Sequence, residues 1–99
     1  VRGAVVKLLP SGNADLDGVA DHLRTTPRTL QRWLREEGTS FQAVRGDAQR
    51  SLAELFLRER DHTIAEVALL VGFSDQAAFH KAFVRWTGTT PARARGAPR

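Results

Sequence analysis

The chain repeats itself, and that repeat limits what it can fold into more than any other feature. Leu16 to Leu23 superimposes on Ile64 to Val71 at an offset of 48, and Thr26 to Leu34 on Asp75 to Phe83 at an offset of 49. The second turn is therefore one residue longer. Each copy closes on the same punctuation, Gly38-Thr39-Ser40 in the first and Gly88-Thr89-Thr90 in the second. Two copies are too few for a solenoid, and each is too small to bury a sizeable core alone. A pair of small units joined by a rigid element is the natural reading.

Apolar residues recur at i, i+3, i+4 and i+7 along the whole chain, with no sustained strand-like alternation, so the spacing predicts an all-α fold. Val5, Leu8 and Leu9 mark a first helix, ended by Pro10-Ser11-Gly12-Asn13. Leu16, Val19, Ala20 and Leu23 stripe a short second helix. A third starts behind Thr26 as N-cap with Pro27 at its first position, turns Leu30, Trp33 and Leu34 inward and stops at Gly38. Ser40 caps a long fourth helix carrying Phe41, Val44, Ala48, Leu52, Leu55 and Phe56 on one side. Thr63 caps a fifth, striped by Ile64, Val67, Ala68 and Val71. Asp75 caps a sixth, with Phe79, Ala82, Phe83 and Trp86 inward and Gly88 at its end; Thr90-Pro91 opens a seventh. Both tryptophans are expected to be mostly buried. Gly18 and Gly46 read as costs of about 1 kcal/mol each inside helices.

Each copy is thus a short helix, a turn and a second, capped helix. This is the helix-turn-helix pattern, whose second helix enters the major groove of DNA through its N-terminal residues. Any antiparallel helix pair shares that periodicity, so the exposed faces must decide. On helix three, Arg28, Gln31, Arg32 and Arg35 face away from the apolar stripe; on helix six the corresponding residues are Ala77, His80 and Lys81, with Gln76 beside them and Arg85 further along. Arginine matches guanine O6 and N7, glutamine matches adenine N6 and N7, and alanine meets a thymine methyl. The long fourth helix, at about 1.5 Å per residue, spans about 27 Å, enough to hold two units roughly one duplex turn of about 34 Å apart.

Composition supports a polyanion partner and removes other classes. Fifteen Lys and Arg against eleven Asp and Glu give a formal charge of +4, and 13 of the 15 cations are arginine. With no cysteine, disulfides, thiolate metal sites and cysteine nucleophiles are excluded, which fits a reducing cytoplasm. His22, His62 and His80 lack metal-ligand spacing, no serine lies in a Gly-x-Ser-x-Gly setting, and Glu36 and Glu37 are adjacent on a helix end rather than paired across a cleft. No catalysis, metal or cofactor is expected. The apolar runs are far shorter than the roughly 20 residues of a membrane span, so no membrane partner is expected. The chain has no methionine, which suggests a domain excised from a longer product. A helical protein-interaction module using helix four remains the alternative reading.

The ordered series Ile64-Ala65-Glu66-Val67-Ala68, Val71-Gly72-Phe73-Ser74-Asp75-Gln76, Phe79-His80-Lys81-Ala82-Phe83 and Gly88-Thr89-Thr90-Pro91 resembles the C-terminal DNA-binding domain of the AraC/XylS transcription regulators. Thr26-Pro27-Arg28-Thr29-Leu30-Gln31-Arg32 and Gly38-Thr39-Ser40-Phe41 fit its more variable first half. The similarity runs from about Val5 to Arg95 and is nearest to the branch of ornithine-utilisation and virulence regulators. It implies a seven-helix domain of two homeodomain-like helix-turn-helix units, about 1–39 and 61–96, joined by a linker helix at about 40–60. It implies a cytoplasmic, bacterial regulator whose isolated domain binds double-stranded DNA as a monomer, with RNA polymerase as a candidate second partner. A small-molecule effector would act only through an N-terminal effector or dimerisation domain that is missing from this chain.

By position, the resemblance implies base-facing roles for Arg28, Gln31, Arg32, Gln76, Ala77, His80 and Lys81, and phosphate contacts from Thr26, Arg35, Ser74 and Arg85. Three departures stand out. Arg24 occupies a turn position where the family usually has glycine, so that turn is expected to be distorted. The small Ala77 and Ala78 suggest that helix six reads fewer bases and anchors more. The last helix lacks the usual aromatic, and Arg93-Ala94-Arg95-Gly96 is expected to fray.

Overall fold

The computed structural model describes residues 1–59 and 61–96; residue 60, at the end of the expected linker, lies outside them. Among these residues the fold is all-α: α1 (Arg2–Leu8), a single 3-10 turn (Leu9–Ser11), α2 (Leu16–His22), α3 (Pro27–Glu36), α4 (Phe41–Arg58), α5 (Ile64–Leu70), α6 (Gln76–Thr87) and α7 (Pro91–Gly96). The chain forms two compact units, Val1–Gln49 and Arg50–Arg99, and the division falls inside α4.

Local chemistry sets the helix starts. Thr26 Oγ1 accepts from the Thr29 amide at 3.1 Å, Ser40 Oγ from Ala43 at 3.2 Å, and Asp75 Oδ1 from Ala78 at 2.7 Å. Thr63 forms a full capping box with Glu66. Each cap satisfies an amide that the helix itself cannot, for about 1 kcal/mol. Asp15 caps α2 in the same way, accepting from the Gly18 amide at 2.7 Å. Gly18 is required rather than merely tolerated: a Cβ there would sit 2.0 Å from the Asn13 carbonyl oxygen.

The first unit packs an aliphatic core of Val5, Leu9, Val19, Leu30 and Leu34, each at most 1% exposed. An ion pair between Arg2 and Asp47 links α1 to the first half of α4. Trp33 is not inward: it is 40% exposed. Leu30 and Leu34 define the buried line of α3, and Trp33, at about 100° per residue, falls well off it. The second unit is built on Ala53, Leu57, Val67, Ala68, Val71, Phe79 and Phe83. Phe73, Phe79, Phe83 and Trp86 form a chain of ring contacts with centroids 5.6–6.5 Å apart. Trp86 is half-buried against that core.

The expected stripe of α4 holds at Ala48, which is buried, and at Leu52 and Phe56, which pack against the second core, and is corrected at Leu55. Leu55 is 41% exposed, while the buried row runs Gln49, Ala53, Leu57 at i, i+4 spacing. A polar glutamine on the buried line disguises it in the sequence, and Leu55 lies about 200° round from Ala53.

The turns of the two copies close identically. In the first, the Arg24 amide donates to the Asp21 carbonyl at 3.0 Å and Thr25 to Ala20 at 2.9 Å; in the second, Gly72 donates to Leu69 at 3.0 Å and Phe73 to Ala68 at 2.9 Å. Both are Schellman endings with a left-handed residue, Arg24 at φ 58° and Gly72 at φ 91°. The first turn is not distorted. Arginine adopts the glycine conformation instead, at a cost of about 1 kcal/mol. The additional residue of the second turn is Ser74, between Phe73 and the cap Asp75.

The expected fraying of Arg93 to Gly96 is overturned. Thr90 Oγ1 accepts from the Arg93 amide at 3.1 Å, and the Arg95 guanidinium donates to the carbonyls of Leu57, Phe56 and Glu59 at 3.2–3.3 Å. These are carbonyls of the last turn of α4 and just beyond it. A cation belongs there because they lack helical partners and carry the negative end of the dipole.

Candidate nucleic-acid interface

Burial of Leu30 and Leu34 against α2 turns the opposite side of α3 outward. Arg28, Gln31, Arg32 and Arg35 stand there at i, i+3, i+4 and i+7, and all four are exposed. None makes a hydrogen bond or ion pair among the described residues; the two ion pairs found there join Arg2 to Asp47 and Arg50 to Glu54. Three guanidiniums and an amide on one face, all without internal partners, form a surface that favours an anion. Thr26, at its head, spends its hydroxyl on the cap and on Thr29 Oγ1 at 3.0 Å.

Beside this face lies an open cavity of about 300 Å³ lined by Gln31, Arg35, Thr39, Ser40 and Phe41. Thr39 and Ser40 line the same cavity as Arg35, a placement not legible in the sequence because it depends on the turn between α3 and α4.

α6 repeats the arrangement with different chemistry. The buried line Phe79 and Phe83 leaves Gln76, Ala77, His80, Lys81 and Arg85 exposed, with Ser74 exposed in the preceding turn. At the offset of 49, Arg28 corresponds to Ala77, Gln31 to His80, Arg32 to Lys81 and Arg35 to Val84. Val84 is 37% exposed and lies on this outward face between Ala77 and His80, another residue that sequence reasoning passed over. Arg85 corresponds to Glu36, so it does not stand in for Arg35. At these four matching positions α3 offers four polar donors, and α6 two methyl-bearing residues, one imidazole and one ammonium. The caps differ too: a neutral threonine heads α3 and a carboxylate heads α6. Both differences place more of the positive charge of the two faces on α3.

The remaining large exposed hydrophobic residues among those described, Trp33, Leu55 and Leu69, lie off these donor faces. Among the described residues no group of three metal-ligating side chains forms, and no helix is long and apolar enough to cross a membrane.

Two capped second helices, each behind a Schellman turn and each exposing its polar side, define a double helix-turn-helix domain of the DNA-binding class. The helix-turn-helix domain family matches residues 19–97. The chain is 39% identical over 89 residues to the ornithine utilization regulator of Pseudomonas aeruginosa, covering 90% of this chain and 26% of that protein. It is 35% identical over 91 residues to the transcriptional regulator VirS of Mycobacterium tuberculosis, covering 92% and 27%. Among solved structures, the C-terminal domain of AraT, a response regulator from Geobacillus stearothermophilus, superimposes with a TM-score of 0.84 at 28% identity, covering 96% of this chain and 79% of that one. The transcriptional regulator CdpR of Pseudomonas aeruginosa gives 0.74 at 37% identity, covering 84% and 26%. The chain belongs to the AraC-type helix-turn-helix family of bacterial transcription regulators, and its function is sequence-specific DNA binding. It spans about a quarter of the length of those two curated relatives.

Proposed function

We propose that one chain reads one asymmetric duplex site, with α3 and α6 in two successive major grooves and α4 setting their separation. The observation that carries this is the pair of outward faces in the same helical register behind the same turn, their outward polar groups making no hydrogen bond or ion pair among the described residues. The domain is organised as two units and a linker helix. α4 has 18 residues and is therefore about 27 Å long, against a duplex pitch of about 34 Å.

Arg28, Gln31 and Arg32 face bases from α3, and Gln76, Ala77, His80 and Lys81 from α6. Thr26, Arg35, Ser74 and Arg85 meet phosphates. The richer donor set of α3 gives it the larger share of base readout, and α6 contributes more to anchoring. The isolated domain binds as a monomer, without catalysis, in the bacterial cytoplasm where its DNA lies. Two further relatives are named as activators, PerA and the urease operon activator of Escherichia coli, which supports RNA polymerase as a second partner. Any small-molecule effector acts through a further domain of the full-length regulator.

A salt series tests this reading against a protein-interaction module built on α4. Affinity for duplex should fall linearly with the logarithm of salt as phosphate contacts release counterions. Weak binding to every duplex and no salt dependence would contradict it.

A further inference from the structure

We infer that Arg24 is a phosphate contact built into the turn ahead of α3, an inference that rests on α3 reading DNA. Arg24 is the one non-glycine residue at positive φ among the described residues, at 58°. The two turns make the same pair of backbone hydrogen bonds, so they place the same demand on this position. The second copy meets it with Gly72, which has no Cβ to clash. The backbone of the first turn therefore gains nothing from arginine, and whatever maintains arginine there must come from its side chain.

Within the protein that side chain does nothing visible. Arg24 is exposed and makes no hydrogen bond or ion pair among the described residues, although Asp21 lies three positions earlier. It sits two residues before the N-cap Thr26 and four before Arg28, at the end of α3 that leads into the groove. An unpartnered, exposed guanidinium there adds positive charge beside the start of α3, at the edge of the groove that this helix would enter. Strain retained at one position, absent from its duplicate and unexplained by packing, points to a ligand contact. The ligand is the DNA phosphate, because a turn residue at the groove edge meets backbone rather than base edges.

The test uses this chain as it stands, with a duplex recovered by selection from randomised sequence and a random duplex. Arg24→Gly should relieve the strain and raise Tm by about 4 °C. It should weaken both duplexes by the same factor and lower the salt slope by about 0.9, so that the affinity lost between 50 and 200 mM salt shrinks about 3.5-fold. Arg24→Lys should keep the slope. An unchanged slope in Arg24→Gly overturns the inference alone, as does a loss confined to one base pair or a fall in Tm. A wild-type domain that binds no duplex overturns the DNA-reading assignment of α3 and this inference with it.

Discussion

Arg32 and Arg35 are neighbours on the outward face of α3, three positions apart, and their places along the helix predict different work. Arg32 is nearer the helix start, where side chains meet base edges. Arg32→Ala should cost about 1–3 kcal/mol on the preferred site and relax the choice of base at one position. Arg35 is nearly a turn further on, beside Thr39 and Ser40. Arg35→Ala should weaken all duplexes alike and lower the salt slope by about 0.9. Binding to matched, single-mismatch and random duplexes at several salt concentrations separates the two; equal losses everywhere for both variants would make α3 a backbone anchor only. These arginines are legible in the sequence because polarity alone puts them outside. Trp33 is not, since the burial of an apolar ring at the edge of a stripe depends on how far neighbouring elements cover it, and here it stays 40% exposed. Val84 escapes notice for the converse reason: it is an apolar residue on a face expected to be polar.

At the scale of elements, helix starts are the most legible feature. Thr26, Ser40, Thr63 and Asp75 each act on an amide three residues away, so the sequence contains the whole interaction. The end of α4 is the opposite case. Its cap is Arg95, 36 to 39 residues later, and nothing local signals it. Gly18 is similar, its need set by the approach of the Asn13 carbonyl. The Arg95 cap makes a prediction: Arg95→Ala should destabilise the second unit by about 1–2 kcal/mol, since three carbonyls lose a charged donor near a helix C-terminus. Chemical denaturation followed by the near-ultraviolet signal of Trp86 would measure it. Unchanged stability would mean that water replaces the guanidinium without loss.

At the scale of the whole molecule, the repeat conveys both the architecture and the division of labour between its copies. The first unit combines an aliphatic core with an arginine-rich face, and the second an aromatic core with a sparser one. Such unequal halves predict unequal half-sites and hence an asymmetric target. Hydroxyl-radical footprinting of the isolated domain on a selected duplex, with the stoichiometry measured on the same complex, tests this most directly. One chain should protect a single non-palindromic stretch of about two helical turns, roughly 20 base pairs, in two patches one turn apart. A palindrome bound by two chains, or one patch in a single groove, would contradict the claim that one chain reads two successive grooves.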